Sequence, residues 1–468
     1  MSPVLAPRTV ASASSARAAA SARSRWSGFR PLLGLALVGL LLLTAAAPAA
    51  ATTRMTWADL PQRSTGRFAR ALAPPQFRFP EDFGPHPDFQ TEWWYTTGNL
   101  ETAEGRPFGF QFTVFRQALA APSTTEASSS SSSSAAGSSA AGSAAGGSAA
   151  ASPDAASPGS GPPADEPPAA ATAPRSPWRT PQIYSAHVTV SDLAENRFHH
   201  SERFARGALG LAGAEAAPLR VWLNDWELRA LDPQARRLRL EADTGAVAIN
   251  LEIGTSRPPV LQGERGLSRK GPEPGNASLY YSLIQQPTGG SLRIGDRTYT
   301  VTGVSWTDHE IFTNSLSPGT VGWDWFSAQF DDGSALMLYD LRHEGGGREA
   351  ESSGLWIPAG DAAPVTLSAD DLGLTVSARW RSPHSGATYP AGWRLQIPRL
   401  DLALAIEPAM ADQELSTTSA TYWEGAVRYR GHQGATALRG RGYVELTGYA
   451  DRLDQRLAAS PAPPDRGE

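Results

Sequence analysis

The chain has 468 residues and a formal net charge of −5, so its length suggests two domains and its charge offers no basic surface for nucleic acid. It contains no cysteine, which excludes disulfide bonds, thiolate nucleophiles and thiolate metal ligands. A conventional core must therefore stabilise the fold, and 14 Trp, 15 Phe and 11 Tyr supply large side chains for it.

The N-terminal segment, residues 1–51, has the three parts of an export signal. Arginines without acidic residues come first, an apolar run from Pro31 to Leu43 follows, and small residues from Ala47 to Ala51 fit a cleavage site. The apolar run is shorter than the roughly 20 residues that a membrane-spanning helix needs. We therefore predict a periplasmic or secreted protein with a cleaved signal peptide. A retained anchor, which would keep the protein near the membrane, is the alternative.

A low-complexity stretch, residues 120–178, interrupts the chain. It holds a run of seven serines, Ser128 to Ser134, followed by sequence rich in Ala, Gly and Pro. Such sequence cannot bury enough apolar area to offset the entropy of ordering it. Because strand-like sequence resumes at once on both sides, we predict a disordered insert within one domain, and a disordered tail over residues 451–468.

Short strand-like segments make up the rest of the sequence. They include residues 219–228 and 238–253, and turn signals such as Asp331-Asp332-Gly333 lie between them. Long amphipathic helical patterns are hard to find. Many short strands at close spacing predict sandwich or barrel domains.

Two hairpin-like segments resemble one another. Residues 92–116 begin with paired aromatic side chains, pass through a turn and end in an arginine, and residues 323–342 do the same. One such hairpin in each half indicates two related β-domains. We place the first domain at residues 57–260 and the second at residues 275–450.

Several longer segments resemble a known family and follow in its order: His86–Tyr95, Ala186–Asp192, Tyr280–Ser282, Gly303–Glu310, Gly322–Phe326, Tyr422–Gly425 and Gly440–Tyr449. These segments resemble the family that joins carotenoid 1,2-hydratases (hydroxyneurosporene synthases) with AttH-like "predicted secreted hydrolases". The resemblance spans residues 79–449 apart from the low-complexity insert.

The resemblance implies a mostly β fold with two lipocalin-like (calycin-type) antiparallel β-barrel domains side by side. It implies that a barrel binds a lipophilic small molecule, and that the protein works with a lipid or lipoprotein transport system. The alternative is a hydratase that adds water to a C=C bond of an acyclic carotenoid or terpenoid without a cofactor. Hydrolysis of a lipid or ester is a third possibility, but no G-x-S-x-G nucleophile motif is visible.

Water addition to an alkene needs an acid that stays protonated, a placed water and an apolar cavity. We predict Asp308 as this acid and His309 as its orienting or proton-relaying partner. Tyr339 and Asp340 offer a hydroxyl and a second acid. The resemblance implies a His, a Trp, a Tyr and an Asp in this half, with the Tyr and Asp one residue further apart. For each pair the alternative is a polar strand end that hydrogen-bonds a neighbouring loop.

Aromatic faces can line an apolar cavity and stabilise a cation. We predict Trp306, Trp323 and Trp325 as the walls around the acid. Trp94 and Tyr95 are further candidate ligand contacts, and for Trp93 and Trp94 the alternative is core packing, with one ring in the core and one at the barrel mouth.

Glu92, next to these aromatics, is also a candidate ligand contact. The alternative is an ion pair inside the barrel with Arg116 or Arg342.

Asp308, His309 and Glu310 present three metal-ligand types in a row. Alternation along a strand places His309 opposite the other two. The spacing fits no zinc pattern. We therefore predict no metal at these residues, and the family resemblance implies that no cofactor is needed.

Overall fold

The computed structural model describes residues 68–122, 178, 180–313 and 316–450. The predicted signal segment, the tail from residue 451 and all but the ends of the predicted insert lie outside these residues. Helical structure within the described ranges consists of three single turns of 3-10 helix, at Glu81–Phe83, Ala369–Asp371 and Pro398–Leu400. No helix in these ranges has the length and apolar character required to cross a bilayer.

The first part of the described chain forms one antiparallel sheet of 13 strands. Its strands are β1 (Thr91–Glu101), β2 (Pro107–Ala118), β3 (Gln182–Asp192), β4 (Arg197–Arg206), β5 (Ala212–Ala216), β6 (Leu219–Leu223), β7 (Trp226–Ala230), β8 (Arg237–Asp243), β9 (Val247–Gly254), β10 (Val260–Leu261), β11 (Leu267–Arg269), β12 (Ala277–Ile294) and β13 (Arg297–Phe312). The strand order is β4-β3-β2-β1-β13-β12-β9-β8-β7-β6-β5, with β10 and β11 paired to β12. The sheet curls until β3 and β4 near one edge approach β6 near the other.

The second part forms a 10-stranded antiparallel sheet. Its strands are β14 (Thr320–Phe330), β15 (Ala335–His343), β16 (Ser353–Ile357), β17 (Val365–Leu367), β18 (Gly373–Arg381), β19 (Thr388–Ile397), β20 (Leu402–Pro408), β21 (Glu414–Ser416), β22 (Thr421–Gln433) and β23 (Thr436–Leu446). The strand order is β17-β16-β15-β14-β23-β22-β20-β19-β18, with β21 paired to β22.

Both sheets use the same strand order around their first strand. In each sheet the first strand pairs with the second on one side and with the last on the other: β1 with β2 and β13, β14 with β15 and β23. This confirms the predicted fold class of a mostly β protein with two large, curled antiparallel sheets. The first sheet continues to Phe312, beyond residue 260, the predicted end of the first domain. The division into domains stays a prediction.

Alternation along the strands creates the three largest apolar clusters among the described residues. Trp94 and Leu100 of β1 point into the core of the first sheet, and Trp393 lies in the core of the second. Tyr95, on the opposite face of β1, joins a cluster with Trp325 of β14. The two sheets therefore pack against each other through aromatic side chains that point away from their own cores.

The sequence predicted single strands in two places where the structure has two consecutive strands. Residues 219–228 read as one strand, but the chain reverses at Asn224 and Asp225 between β6 and β7. Asn224 takes a φ of 57°, and a two-residue hairpin turn of this kind needs a residue that tolerates the left-handed region. Residues 238–253 likewise divide into β8 and β9 around Gly245, whose φ is 84°. Both turns lack the proline or double glycine that makes a turn obvious in the sequence.

Close packing of β23 on β14 requires glycine at residue 442. A Cβ at Gly442 would lie 1.8 Å from the Ser327 carbonyl oxygen, so Gly442→Ala forces the strands apart. We expect a loss of about 1–3 kcal/mol in the free energy of unfolding, measured by urea denaturation. Gly289→Ala in β12 is the matched control, because its Cβ would meet nothing closer than 3.6 Å. We expect the control to change stability by less than about 0.5 kcal/mol, and equal losses would contradict this account.

Candidate active site

A pocket lies between the two sheets, where their outward-facing side chains meet. Aromatic rings form most of its wall: Trp93, Tyr95, Phe115, Tyr280, Trp325 and Tyr422. One ammonium and three carboxyl groups also line it, those of Lys270, Asp308, Glu310 and Glu445. The volume open to the centre of a water-sized sphere is about 70 Å³. On the same measure one water needs roughly 10–15 Å³. The pocket can therefore hold a water together with part of an organic molecule.

Equivalent strands of the two sheets contact each other at this pocket. The ring of Trp93 stacks on Trp323 with 5.9 Å between centroids, and Tyr95 meets Trp325 edge-on at 5.2 Å. Trp93 and Tyr95 occupy the positions in β1 that Trp323 and Trp325 occupy in β14. Side chains that contact their own equivalents mark an approximate two-fold axis between the sheets.

The same relationship aligns two carboxyl groups. Tyr95 lies opposite Asp308 of β13, and Trp325 lies opposite Glu445 of β23. Asp308 and Glu445 therefore hold equivalent positions on the last strand of each sheet, and both line the pocket.

Asp308 is buried and accepts three hydrogen bonds. Trp306 Nε1 and Ser282 Oγ donate to its Oδ1 at 2.7 and 2.5 Å, and Tyr280 Oη donates to its Oδ2 at 2.6 Å. These donors favour the carboxylate. Burial outweighs them and, with a smaller contribution from Glu310, raises the pKa of Asp308 to about 7. The group can therefore exchange a proton near neutral pH.

Tyr280 links Asp308 to the second sheet. Trp325 Nε1 donates a hydrogen bond to Tyr280 Oη at 3.1 Å. When Asp308 is ionised, the phenol donates to it. When Oδ2 of Asp308 carries a proton, that proton can be donated to the phenol oxygen, and the phenol hydrogen is then free to face the pocket. Tyr280 can therefore pass a proton between Asp308 and a bound molecule.

Glu445 is half-buried and has a less polar environment than Asp308. Trp323 Nε1 donates to its Oε1 at 3.0 Å. Burial raises the pKa of Glu445 to about 8, and the nearby Glu310 and Asp308 add to this shift. Because Asp308 accepts three hydrogen bonds and Glu445 one, a single proton shared by the two groups belongs mainly to Glu445. The arrangement supplies an acid and a base in one pocket.

A third carboxyl group, Glu424, lies beside Glu445 on the neighbouring strand β22. Tyr95 Oη donates to its Oε1 at 2.6 Å, across the contact between the sheets. Burial and the nearby Glu445 raise the pKa of Glu424 well above its usual range. The contact between the sheets therefore disfavours a charge on Glu424.

His309, next to Asp308 in the chain, points to the other face of the sheet. Its ring stacks on Trp94 with 4.8 Å between centroids. Its Nε2 is 2.9 Å from Glu92 Oε1, and its Nδ1 is 2.6 Å from Tyr281 Oη. Burial lowers the pKa of His309, so the ring is neutral at neutral pH. The structure thus separates His309 from Asp308, and the predicted relay between them does not form.

Glu92 is fully buried in an ion-pair network inside the first sheet. Arg116 Nε donates to its Oε2 at 2.9 Å, and His86 Nδ1 lies 2.8 Å from its Oε1. Burial would raise the pKa of Glu92, but Arg116 and the two histidines lower it well below its usual value. The ion pair with Arg116 matches one of the two predicted partners. The other, Arg342, pairs with Asp324 at 2.9 Å. Glu92 does not reach the pocket.

Within the described ranges, one group of side chains has the spacing of metal ligands: His86, Glu92 and His309, with donor atoms within 4.8 Å of one another. The two histidine nitrogens lie 2.8 and 2.9 Å from the same Glu92 oxygen. Tetrahedral zinc separates its ligand atoms by about 3.3 Å. Since Arg116 already neutralises Glu92, this arrangement is a hydrogen-bonded ion-pair network.

The Tyr339 and Asp340 pair is also divided between two faces. Tyr339 donates to the Arg269 carbonyl at 2.8 Å and packs against Lys270, which lines the pocket. Asp340 points away and receives both of its hydrogen bonds from Arg348, at 3.0 Å each. Asp340 therefore forms an ion pair remote from the pocket, which removes it as a second acid.

The predicted aromatic residues take different positions. Trp325 and Tyr95 line the pocket directly. Trp306 and Trp323 stand behind the two carboxyl groups and donate hydrogen bonds to them. Trp94 faces the core of the first sheet, as the packing alternative stated.

Sequence reasoning did not single out several residues of the pocket, among them Lys270, Tyr280 and Glu445. Tyr280 and Glu445 belong to segments that carried the family resemblance, but their types gave no separate signal. Alignment of the last strand of one half with the last strand of the other would have shown that Glu445 and Asp308 occupy equivalent positions. The rarity of lysine in the chain would have pointed to Lys270.

These features define a double-sheet protein with an acidic pocket between its halves, and the chain belongs to the AttH-like family, whose model matches residues 70–146 and 164–449. No curated protein sequence matches the chain.

Solved structures that resemble it include the following two. An AttH protein from Nitrosomonas europaea is 31% identical, with a TM-score of 0.63, and the match covers 82% of this chain and 100% of that one. Kievitone hydratase from Nectria haematococca is 14% identical, with a TM-score of 0.54, over 83% of this chain and 98% of that one. The second match shows a shared fold.

Loss of charge at Glu92 tests the buried ion pair. Glu92→Gln leaves the Arg116 guanidinium buried without a counter-ion, so we expect a loss of about 3–5 kcal/mol in the free energy of unfolding. Asp340→Asn is the control, because Asp340 and Arg348 are partly exposed, and we expect it to lose less than about 1 kcal/mol. Urea denaturation at pH 7 measures both. Similar losses in the two variants would mean that burial does not set the strength of this pair.

Proposed function

We propose that the pocket between the sheets is an acid–base site that adds water to a C=C bond of an apolar substrate, or removes water in the reverse direction. The observation that carries this proposal is the pair of carboxyl groups, Asp308 and Glu445, which face one aromatic-lined pocket from equivalent strands. Water addition needs one group to give a proton to carbon and one to take a proton from water.

The surroundings of the two carboxyl groups suggest their roles. Glu445, with one hydrogen-bond donor, carries the proton and serves as the acid. Asp308, held by three donors, is the base that accepts a proton from water. This differs from the sequence prediction, which gave Asp308 the role of the acid. Tyr280 can carry the proton between Asp308 and the pocket.

The rest of the pocket suits an apolar substrate. Aromatic rings form most of its wall and exclude bulk water from the reacting groups. A hydratase among the proteins of similar fold supports the same class of reaction.

Removal of either carboxyl group tests the proposal. Purified protein is incubated in H₂¹⁸O with an acyclic carotenoid, a prenylated phenol and an aryl enone, and products are examined by mass spectrometry for addition of labelled water. We expect Asp308→Asn and Glu445→Gln each to lower the rate at least about 100-fold, because each removes one proton-transfer group.

Asp324→Asn is the matched control for these variants. Burial also raises the pKa of Asp324, to about 6, but its side chain bonds Tyr449 and Arg342 on the other face of β14. We expect the control to keep its activity. Wild-type activity in Asp308→Asn would remove Asp308 from the mechanism.

The two pKa values predict a bell-shaped dependence of the rate on pH. Below a pH of about 7 the base is protonated, and above about 8 the acid is ionised, so the maximum lies between them. Asp308 and Glu445 influence each other's pKa, and Glu310, Glu424 and Lys270 also face the pair. Each limb of the pH–rate profile therefore reports the coupled titration of the pair, not of one residue. We expect residual activity of Glu445→Gln to lack the high-pH limb. A rate independent of pH from 5 to 9 would contradict the assignment.

A second candidate is the binding of a lipophilic molecule without turnover. The aromatic wall favours it, because apolar pockets with a few polar groups are common ligand sites. Saturable binding of a carotenoid or lipid, with no product in any of the assays above, would support this candidate over the hydratase.

Export also stays a proposal, since it depends on residues 1–51, which lie outside the described ranges. A role beside a lipid or lipoprotein transport system depends on it in turn. Both proposals derive from the sequence and are independent of the chemistry of the pocket.

A further inference from the structure

Lys270 is the only lysine among the 41 Lys and Arg residues of the chain. Arginine supplies the cation of exposed ion pairs such as those of Arg237 and Arg203. The single lysine of the chain lines the pocket between the sheets. An ammonium is a compact point charge, whereas a guanidinium is planar and wider. The position therefore suits the smaller cation.

The ammonium of Lys270 is held on two sides. Its Nζ lies 3.2 Å from Glu310 Oε1 and 3.7 Å from the centre of the Tyr339 ring, with the Tyr280 ring at 5.3 Å. An ammonium carries three N–H donors, and Glu310 takes one of them. Since Lys270 also lines the pocket, donor capacity remains for an oxygen of a bound molecule.

The charge of Lys270 persists at neutral pH. Burial lowers its pKa, but Glu310, Tyr339 and Asp308 together raise it above the ordinary value for lysine. The pocket therefore contains an ammonium, ion-paired on one side with Glu310, beside its two reactive carboxyl groups.

A fixed cation selects between two routes of water addition. An isolated alkene takes a proton first and forms a carbocation, which an adjacent ammonium destabilises. An alkene conjugated to a carbonyl takes water first, and negative charge develops on the carbonyl oxygen, which an ammonium stabilises.

We infer that Lys270 binds the carbonyl oxygen of the ligand, and that the alkene hydrated in this pocket is conjugated to that carbonyl. The second part rests on the proposed function, and the first does not. Water bonds to the β-carbon while Asp308 takes its proton, and the alkene electrons move to the carbonyl oxygen beside Lys270. Glu445 then gives its proton to the α-carbon as the C=O bond re-forms. The proton on Asp308 returns to Glu445 through the pocket, so one water is added without an oxidant or reductant.

Binding tests the role of Lys270 without turnover. Full-length protein labelled with ¹³C and ¹⁵N at lysine gives one lysine side-chain signal, because the chain has one lysine. The probes are dihydrochalcone, a ketone without an alkene, and 1,3-diphenylpropane, which has the same skeleton without the oxygen. We expect only the ketone to show a hydrogen-bond shift of this signal, and to bind at least about tenfold more tightly.

Substitution identifies the source of that preference. In Lys270→Met the preference for the ketone should disappear. Since this variant leaves Glu310 without its cation, the double variant Lys270→Met/Glu310→Gln provides the same test with the ion pair removed. Thermal unfolding of all variants verifies folding. A ketone preference that survives in either folded variant overturns the assignment of Lys270.

Turnover separates this inference from the proposed function. Chalcone and 1,3-diphenylpropene share one skeleton, but only chalcone conjugates its alkene to a carbonyl. We expect hydration of chalcone alone, and a drop of at least about 100-fold in kcat for Lys270→Met. Equal hydration of both alkenes, lost in Asp308→Asn but unaffected by Lys270→Met, would overturn the inference and retain the proposed function. Ketone binding through Lys270 without hydration of either alkene would overturn the proposed function and keep Lys270 as the oxygen-binding group.

Discussion

The burial of carboxyl groups between two sheets is the constraint on which this structure depends. Asp308, Glu424 and Glu445 lie where aromatic rings of both sheets pack, and a charged carboxylate is unstable there unless donors surround it. Asp308 has three donors, whereas burial raises the pKa of Glu424 well above its usual range. The same contact that joins the halves therefore sets the proton affinities on which the proposed chemistry relies.

The strand periodicity predicted the fold class because alternating apolar residues report burial directly. The boundaries between strands were less visible, since a single Asn at residue 224 replaces the turn signals expected there. Alternation also explains the division of the predicted site. Asp308 and His309 are neighbours in the chain but lie on opposite faces of β13, one towards the pocket and one towards the core.

The rest of the site depends on contacts that the sequence does not encode locally. Glu445 follows Asp308 by more than 130 residues, and the two meet only because the last strand of each sheet pairs with its first. Lys270 lies in a loop after β11, and its partner Glu310 is on β13. Strand pairing between distant segments and packing between the sheets determine such proximity, and neither follows from local periodicity.

The approximate two-fold axis has a consequence for how such a site can arise. Two copies of one sheet, associated as a homodimer, would surround the same axis with identical residues, and both carboxyl groups would then have one proton affinity. When the two sheets belong to one chain, each half can change alone. Here one half presents an aspartate with three donors and the other a glutamate with one. Covalent fusion of the halves is thus what permits a symmetric cleft to hold an acid and a base of different strength.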